Sequence, residues 1–119
     1  MLSINLVIKE SDIILEEIVE SIKKENEIET IKIIKTQGIG ETILISVAST
    51  LIADVLKKMP KAISRLKKII RRLLKIGQDK NLKDMKVVIF YEVLTLNFYS
   101  DEDKKIDTEL EKLFKYLEK

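Results

Sequence analysis

The chain contains no cysteine and no histidine, and both absences exclude chemistry. Without cysteine there is no disulfide, no thiolate nucleophile and no thiolate metal site. Without histidine the chain lacks the commonest transition-metal ligand and the side chain most used for proton transfer near neutral pH. Zinc catalysis and Ser-His-Asp or Cys-His hydrolysis are therefore excluded, while carboxylate-only, lysine-based and magnesium chemistry are left open. Tryptophan is missing too, and three Phe and three Tyr make up the whole aromatic set. So few stacking platforms count against a specific reader of RNA or single strands. Met1–Ser11 has neither a basic leader nor a long apolar core, so no secretory signal is read there. A reducing cytoplasm is the expected compartment.

What is present reads as one α+β domain over residues 1–119. Hydrophobic residues at 45% and charged residues at 35% supply enough apolar surface to offset the entropy of ordering. Leu2, Ile4, Leu6 and Ile8 alternate with Ser3, Asn5 and Lys9, which predicts a strand. Ser11 stands as an N-cap for a helix from Asp12 to about Lys24, with Ile18, Val19 and Ile22 at helical spacing. Ile31, Ile33 and Ile34 mark a second strand near 29–35. After Gly38-Ile39-Gly40, residues 41–56 are apolar or small almost all round, and this run predicts a helix buried on most faces. Its uncharged stretch of twelve residues, Thr42–Ala53, falls short of the roughly 20 a bilayer span needs. Pro60 suits the first turn of a further helix, expected to run to Ile76 with Gly77 as its C-terminal cap. Met85–Glu92 and Leu94–Tyr99 predict a hairpin whose turn lacks Gly or Asn. Ser100 would cap a final helix carrying Ile106, Leu110, Leu113, Phe114 and Leu117 on one face. The expected order is β-α-β-α-α-β-β-α. It implies a small mixed sheet, parallel across the first βαβ unit, with helices packed on it.

The charge is unevenly spread. Residues 1–56 carry net −5, residues 57–86 net +10, and residues 87–119 net −3, which sum to the +2 of the whole chain. Lys61, Arg65, Lys68, Arg71, Arg72 and Lys75 are the candidate partner-binding residues, since steps of three and four put most of them on one helical face. Lys57, Lys58 and Lys67 extend the cluster. A solvated face that only keeps the protein in solution is the plain alternative, but such a face usually mixes signs. No Asp or Glu interrupts Lys57–Gln78. That favours contact with an anion: an acidic protein surface, nucleic acid, lipid headgroups or the acidic parts of a second copy.

Other motifs point less far. Gly38-Ile39-Gly40 resembles half a phosphate loop, but the third glycine and the Lys-Ser/Thr are missing and Glu41 would repel phosphate. Two glycines in a tight turn explain it as well. Asp54 reads as the partner of Lys57 or Lys58, and Glu16, Glu17 and Glu20 as a solvated face. No catalytic, cofactor-binding or metal-binding residue is picked out, and an enzyme is not expected.

Taken in order, the opening strand Ile4–Ile8, the acidic helix from Ser11, the strand Ile31–Lys35, the Gly38–Gly40 turn, the apolar helix Thr42–Leu56, the basic helix ending Arg71-Arg72-Leu73-Leu74-Lys75, the hairpin Lys86–Tyr99 and the Asp107–Leu117 end resemble one known family. It is the effector-associated constant component family of bacterial conflict systems. The chain lacks a Trp before the basic cluster and a Gly/Asp-rich hairpin turn, where it departs from that pattern. The resemblance implies a non-catalytic companion of a defence effector that helps recognition, recruitment or assembly. The expected function is thus an adaptor contacting an acidic protein, or forming a homo-oligomer, through the basic helix. A nucleic-acid binder using the same helix and a small-nucleotide-sensing domain are the alternatives.

Overall fold

Strand alternation and helical stripes in this sequence close around one layer of apolar side chains. The computed structural model describes residues 2–9, 12–24, 30–36, 42–48, 61–82 and 84–117. Its elements are β1 (Leu2–Ile8), α1 (Asp12–Lys23), β2 (Thr30–Thr36), β3 (Thr42–Ala48), α2 (Lys61–Asp79), β4 (Lys86–Tyr91), β5 (Leu94–Phe98) and α3 (Asp103–Leu117). The strands form a five-stranded sheet in the order β2-β3-β1-β4-β5, and every neighbouring pair is antiparallel. Ile4, Leu6, Ile8, Ile43, Ile45, Val87, Ile89, Leu96 and Phe98 share one face of it, and all belong to the buried core. Ile18 and Ile22 of α1, Leu66, Ile69, Ile70, Leu73 and Leu74 of α2, and Ile106, Leu110 and Leu113 of α3 cover that face. The chain is therefore an α+β domain, with three helices on an antiparallel sheet among the described residues.

Two expectations are corrected. β1 and β2 do run in the same direction, but β3 lies between them, so the first βαβ unit is split and the sheet is not mixed. The inserted strand is the first half of the run expected to be helical. Thr42, Ile43, Ile45 and Val47 are β-branched and stiff at χ1, which favours the pleated conformation. A strand between two others in a sheet can be apolar on both faces, and such a run carries no alternation to separate it from a buried helix. The order among the described residues is β-α-β-β-α-β-β-α. The remainder of that expected helix, with Asp54, lies outside the described residues, as do the Ser11 cap, the Gly38–Gly40 turn, Lys57, Lys58 and Pro60.

Across the opposite sheet face runs a short polar ladder. Asn5 is buried there, donating from Nδ2 to the Val88 carbonyl and to Ser3 Oγ, each at 3.3 Å. Its Oδ1 accepts from the Ser46 hydroxyl of β3. Each polar atom of the side chain is thus partnered, as a buried amide requires.

The basic helix ends later than its glycine suggests. Gly77 sits inside α2, where Met85 of the following segment occupies the space a Cβ would fill. The stop is at Asn81, whose φ of 57° places it in the left-handed region. Leu82 N–H donates to the Gly77 carbonyl and Asn81 N–H to the Gln78 carbonyl, both at 3.0 Å, the paired bonds of a Schellman motif. Leu82 is buried in the same cluster as Ile76, supplying the apolar contact that accompanies the motif. Asn81→Val is expected to cost about 1–2 kcal/mol, because a β-branched residue is strained in that region. Asn81→Gly is expected to cost nothing or to stabilise by a few tenths. Urea midpoints of the two variants check the contrast.

The C-terminal helix closes one edge of the sheet. α3 packs beside β5, and the outward Asn97 N–H donates to Glu109 Oε2 at 2.8 Å. Ser100 does not cap the helix directly. Its hydroxyl accepts from Glu102 N–H at 3.2 Å, and the Glu102 carbonyl receives the first helical bond, from Ile106. At the other end, Tyr116 stacks edge-on against Tyr91, with ring centroids 5.8 Å apart, and donates to Glu92. Glu92 and Val93 form the two-residue hairpin loop, and Glu92 alone of the two has a positive φ, at 54°. That is the φ signature of a type II′ turn, a place where glycine is usual. The Glu92 hydrogen bond is the main reason the Tyr116 hydroxyl titrates above its ordinary 10.0, with burial and the Glu92 charge adding to it. The contact therefore stabilises the fold below that pH and is lost as pH rises through the raised value. In Glu92→Gln the Tyr116 titration, followed by tyrosinate absorbance, is expected to move down towards the ordinary value.

Candidate functional site

α2 carries the candidate residues on a helix of 19 residues, roughly 28 Å long at 1.5 Å per residue. Leu66, Ile69, Ile70, Leu73 and Leu74 anchor its inner side in the core. The cations are left on the outer side, and the structure divides them into a flank and a crest.

The flank is occupied from within the molecule. Lys67 Nζ lies 2.6 Å from Asp107, and Arg71 pairs with Asp103. These acids stand four apart on α3, matching the four-residue step of the cations on α2, with the two helices antiparallel. Arg71, one of the expected contact residues, thus faces the chain's own C-terminal helix. At the end of α2, Lys80 meets Glu17 of α1 at 3.3 Å, so α2 is held by acids on both neighbouring helices. Each pair is partly exposed and contributes at most about 1 kcal/mol. The apolar stripe sets which side of α2 is turned outward, and these pairs occupy the flanks.

The crest consists of Arg65, Lys68 and Lys75, all exposed, with Arg72 half-buried beside them. Lys61 opens the helix at a position aligned with this crest. No acidic group among the described residues pairs with Arg65, Lys68 or Lys75. Neighbours three and four apart therefore repel, at about 0.2–0.5 kcal/mol per pair. The arrangement costs stability within the isolated chain and presents a row of strong hydrogen-bond donors about 15 Å long from Arg65 to Lys75. Chemically it can grip carboxylates or phosphates.

Sequence reasoning missed the division of the cluster. Its signal was the matched spacing of Lys67 and Arg71 with Asp103 and Asp107. A concavity lies between β5 and α3, bordered by Tyr99, Lys104, Thr108 and Lys112. Its one acid, Glu109, is engaged by the Asn97 N–H and by Lys112 at 2.8 Å. Among the described residues no group of acids could hold a metal ion, and no helix is long and apolar enough to cross a membrane.

No protein-family model, curated protein or solved structure matches the chain. The resemblance to the effector-associated constant component family rests on the order of sequence features alone.

Proposed function

We propose that the chain is a non-catalytic binding module whose α2 crest contacts an acidic surface of a protein partner. The observation that carries this reading is the segregation of charge on α2. The flank cations are matched by acids of α3, while Arg65, Lys68 and Lys75 have no acidic partner among the described residues. A face serving only solubility would mix signs, as the exposed residues Lys104, Lys105, Glu111 and Lys112 of α3 do. Its place in a prokaryotic defence or counter-defence system follows from the sequence resemblance only.

Affinity capture from the native host at physiological salt tests the reading. The comparison is between Lys68→Glu/Lys75→Glu on the crest and Lys23→Glu/Lys115→Glu off it. Both variants take the formal net charge from +2 to −2, four units each. A protein retained by the natural chain and the off-crest variant, and lost by the crest variant, is the expected result. Equal capture by all three would overturn it.

Phosphate is the second reading, favoured by the uninterrupted sign of the crest. It requires duplex or single-stranded nucleic acid to bind at physiological salt and to weaken steeply as salt rises. Under the first reading, a duplex bound at low salt is released by about 150 mM, because so few phosphate contacts are available.

A further inference from the structure

The two edges of the sheet are treated differently. β5 is covered by α3, which takes up the outward Asn97 N–H through Glu109. β2 is the other edge, and among the described residues no strand pairs with its outer side. Natural edges of this length are normally shortened, bulged, charged or covered, because their unpaired backbone groups are a template for another strand. β2 is seven residues long, and its only protection of this kind among the described residues is the charge of Lys32 and Lys35, between which Ile33 is left at 42% exposure.

We infer that β2 pairs antiparallel with β2 of a second copy of this chain, placing Ile33 of each copy opposite the other on a two-fold axis. Symmetry decides the register. A two-fold antiparallel pair must centre on a residue that meets itself, and only centring on Ile33 overlaps all of Thr30–Thr36. In that register Thr30 stands opposite Thr36, Ile31 opposite Lys35, and Lys32 opposite Ile34, so no lysine faces a lysine. Centring one residue earlier sets Lys32 against itself, a like-charge pair that destabilises a sheet. The lysines thus act against that slip, while centring one residue later, on Ile34, meets no like charge and loses only overlap, so overlap selects Ile33 there.

Closure follows from the covered edge. With β5 capped, β2 is the one open edge among the described residues of each copy, so association stops at a dimer with a continuous ten-stranded sheet and does not grow into a fibre. The axis is perpendicular to the sheet, so the helices of both copies lie on the same side. The pair would present two α2 crests together, which strengthens binding to a partner with two acidic patches. A contact of one strand edge is small, so the affinity is expected on the order of micromolar.

Sedimentation velocity of the whole chain over a concentration series, from about micromolar to a few hundred micromolar, measures the association. A reversible monomer–dimer equilibrium is expected, shifted at least tenfold towards monomer by Ile33→Lys. A monomer throughout, a larger assembly, or a dimer unaffected by Ile33→Lys would overturn the inference. Because the chain has no cysteine, a single introduced thiol reports the register without ambiguity. Ile33→Cys is expected to form an intermolecular disulfide at least ten times faster than Lys32→Cys or Lys115→Cys. Should Ile33→Lys fail to fold, this rate comparison decides alone, and equal rates would overturn the register. Crest variants leave the dimer intact if both proposals hold, so failure of one is distinguishable from failure of the other.

Discussion

The Lys68→Glu/Lys75→Glu variant is expected to be more stable than the natural chain and unable to hold its partner. Lys68 lies three or four residues from Arg65, Arg71 and Arg72, and Lys75 likewise from Arg71 and Arg72. Reversing both changes these five repulsive pairs into attractive ones and creates one acid–acid spacing, position 75 against Asp79, which offsets part of the gain. At a few tenths of a kcal/mol per pair, discounted for exposure, the sum is a gain of about 1 kcal/mol in urea denaturation. Binding through the crest would fall by roughly 100-fold, since contact charges of the wrong sign each cost at least about tenfold. The off-crest pair should behave in the opposite way. Lys23 and Lys115 stand in the last turns of α1 and α3, where cations favour the helix dipole. Reversing them is expected to lower stability by roughly 1 kcal/mol and to leave partner affinity within about threefold. The variant that gains stability then loses the partner while the variant that loses stability keeps it, a split that a face made only for solubility would not produce.

Ile45→Ala is expected to cost about 3 kcal/mol, a large part of the roughly 5–15 kcal/mol that holds a small domain. Ile45 is fully buried in β3, between Leu6 of β1 and Ile33 of β2 in the register. Leu44 next to it lies on the opposite sheet face and is only half-buried. Leu44→Ala should cost about 1 kcal/mol, in keeping with its smaller buried area. The unequal costs at adjacent positions are the signature of a strand, because side chains alternate between faces. A helix buried all round would make the two substitutions similarly damaging. Denaturant unfolding followed by circular dichroism measures both.

That strand marks where the amino-acid pattern stopped being readable. β1 was legible because Ser3 and Asn5 interrupt its apolar residues with period two. β3 has no such interruption until Ser46, and Ser46 itself is absorbed in the bond to Asn5 across the sheet. Local sequence holds no record of that distant partner. The basic helix was legible from its stripe, but its end was not. Gly77 looked like the stop, yet its lack of a side chain serves the approach of Met85, and Asn81 supplies the left-handed residue. The hairpin was legible and its turn was not, because Glu92 takes a conformation usually left to glycine. The candidate site divides along the same line. Clustering of charge is a property of the sequence, and it pointed to α2. Which cations the molecule keeps for itself depends on how α3 packs, and that consigned Arg71 to the flank with Lys67.

The central claim is that the crest, and not the protein's overall charge, holds an acidic partner. The most direct measurement is the dissociation constant of a captured partner for the natural chain and the two charge-matched variants at one salt concentration. The account expects a roughly 100-fold loss for Lys68→Glu/Lys75→Glu and less than about threefold for Lys23→Glu/Lys115→Glu. Equal losses in the two variants would contradict it, because the partner would then be answering to net charge alone.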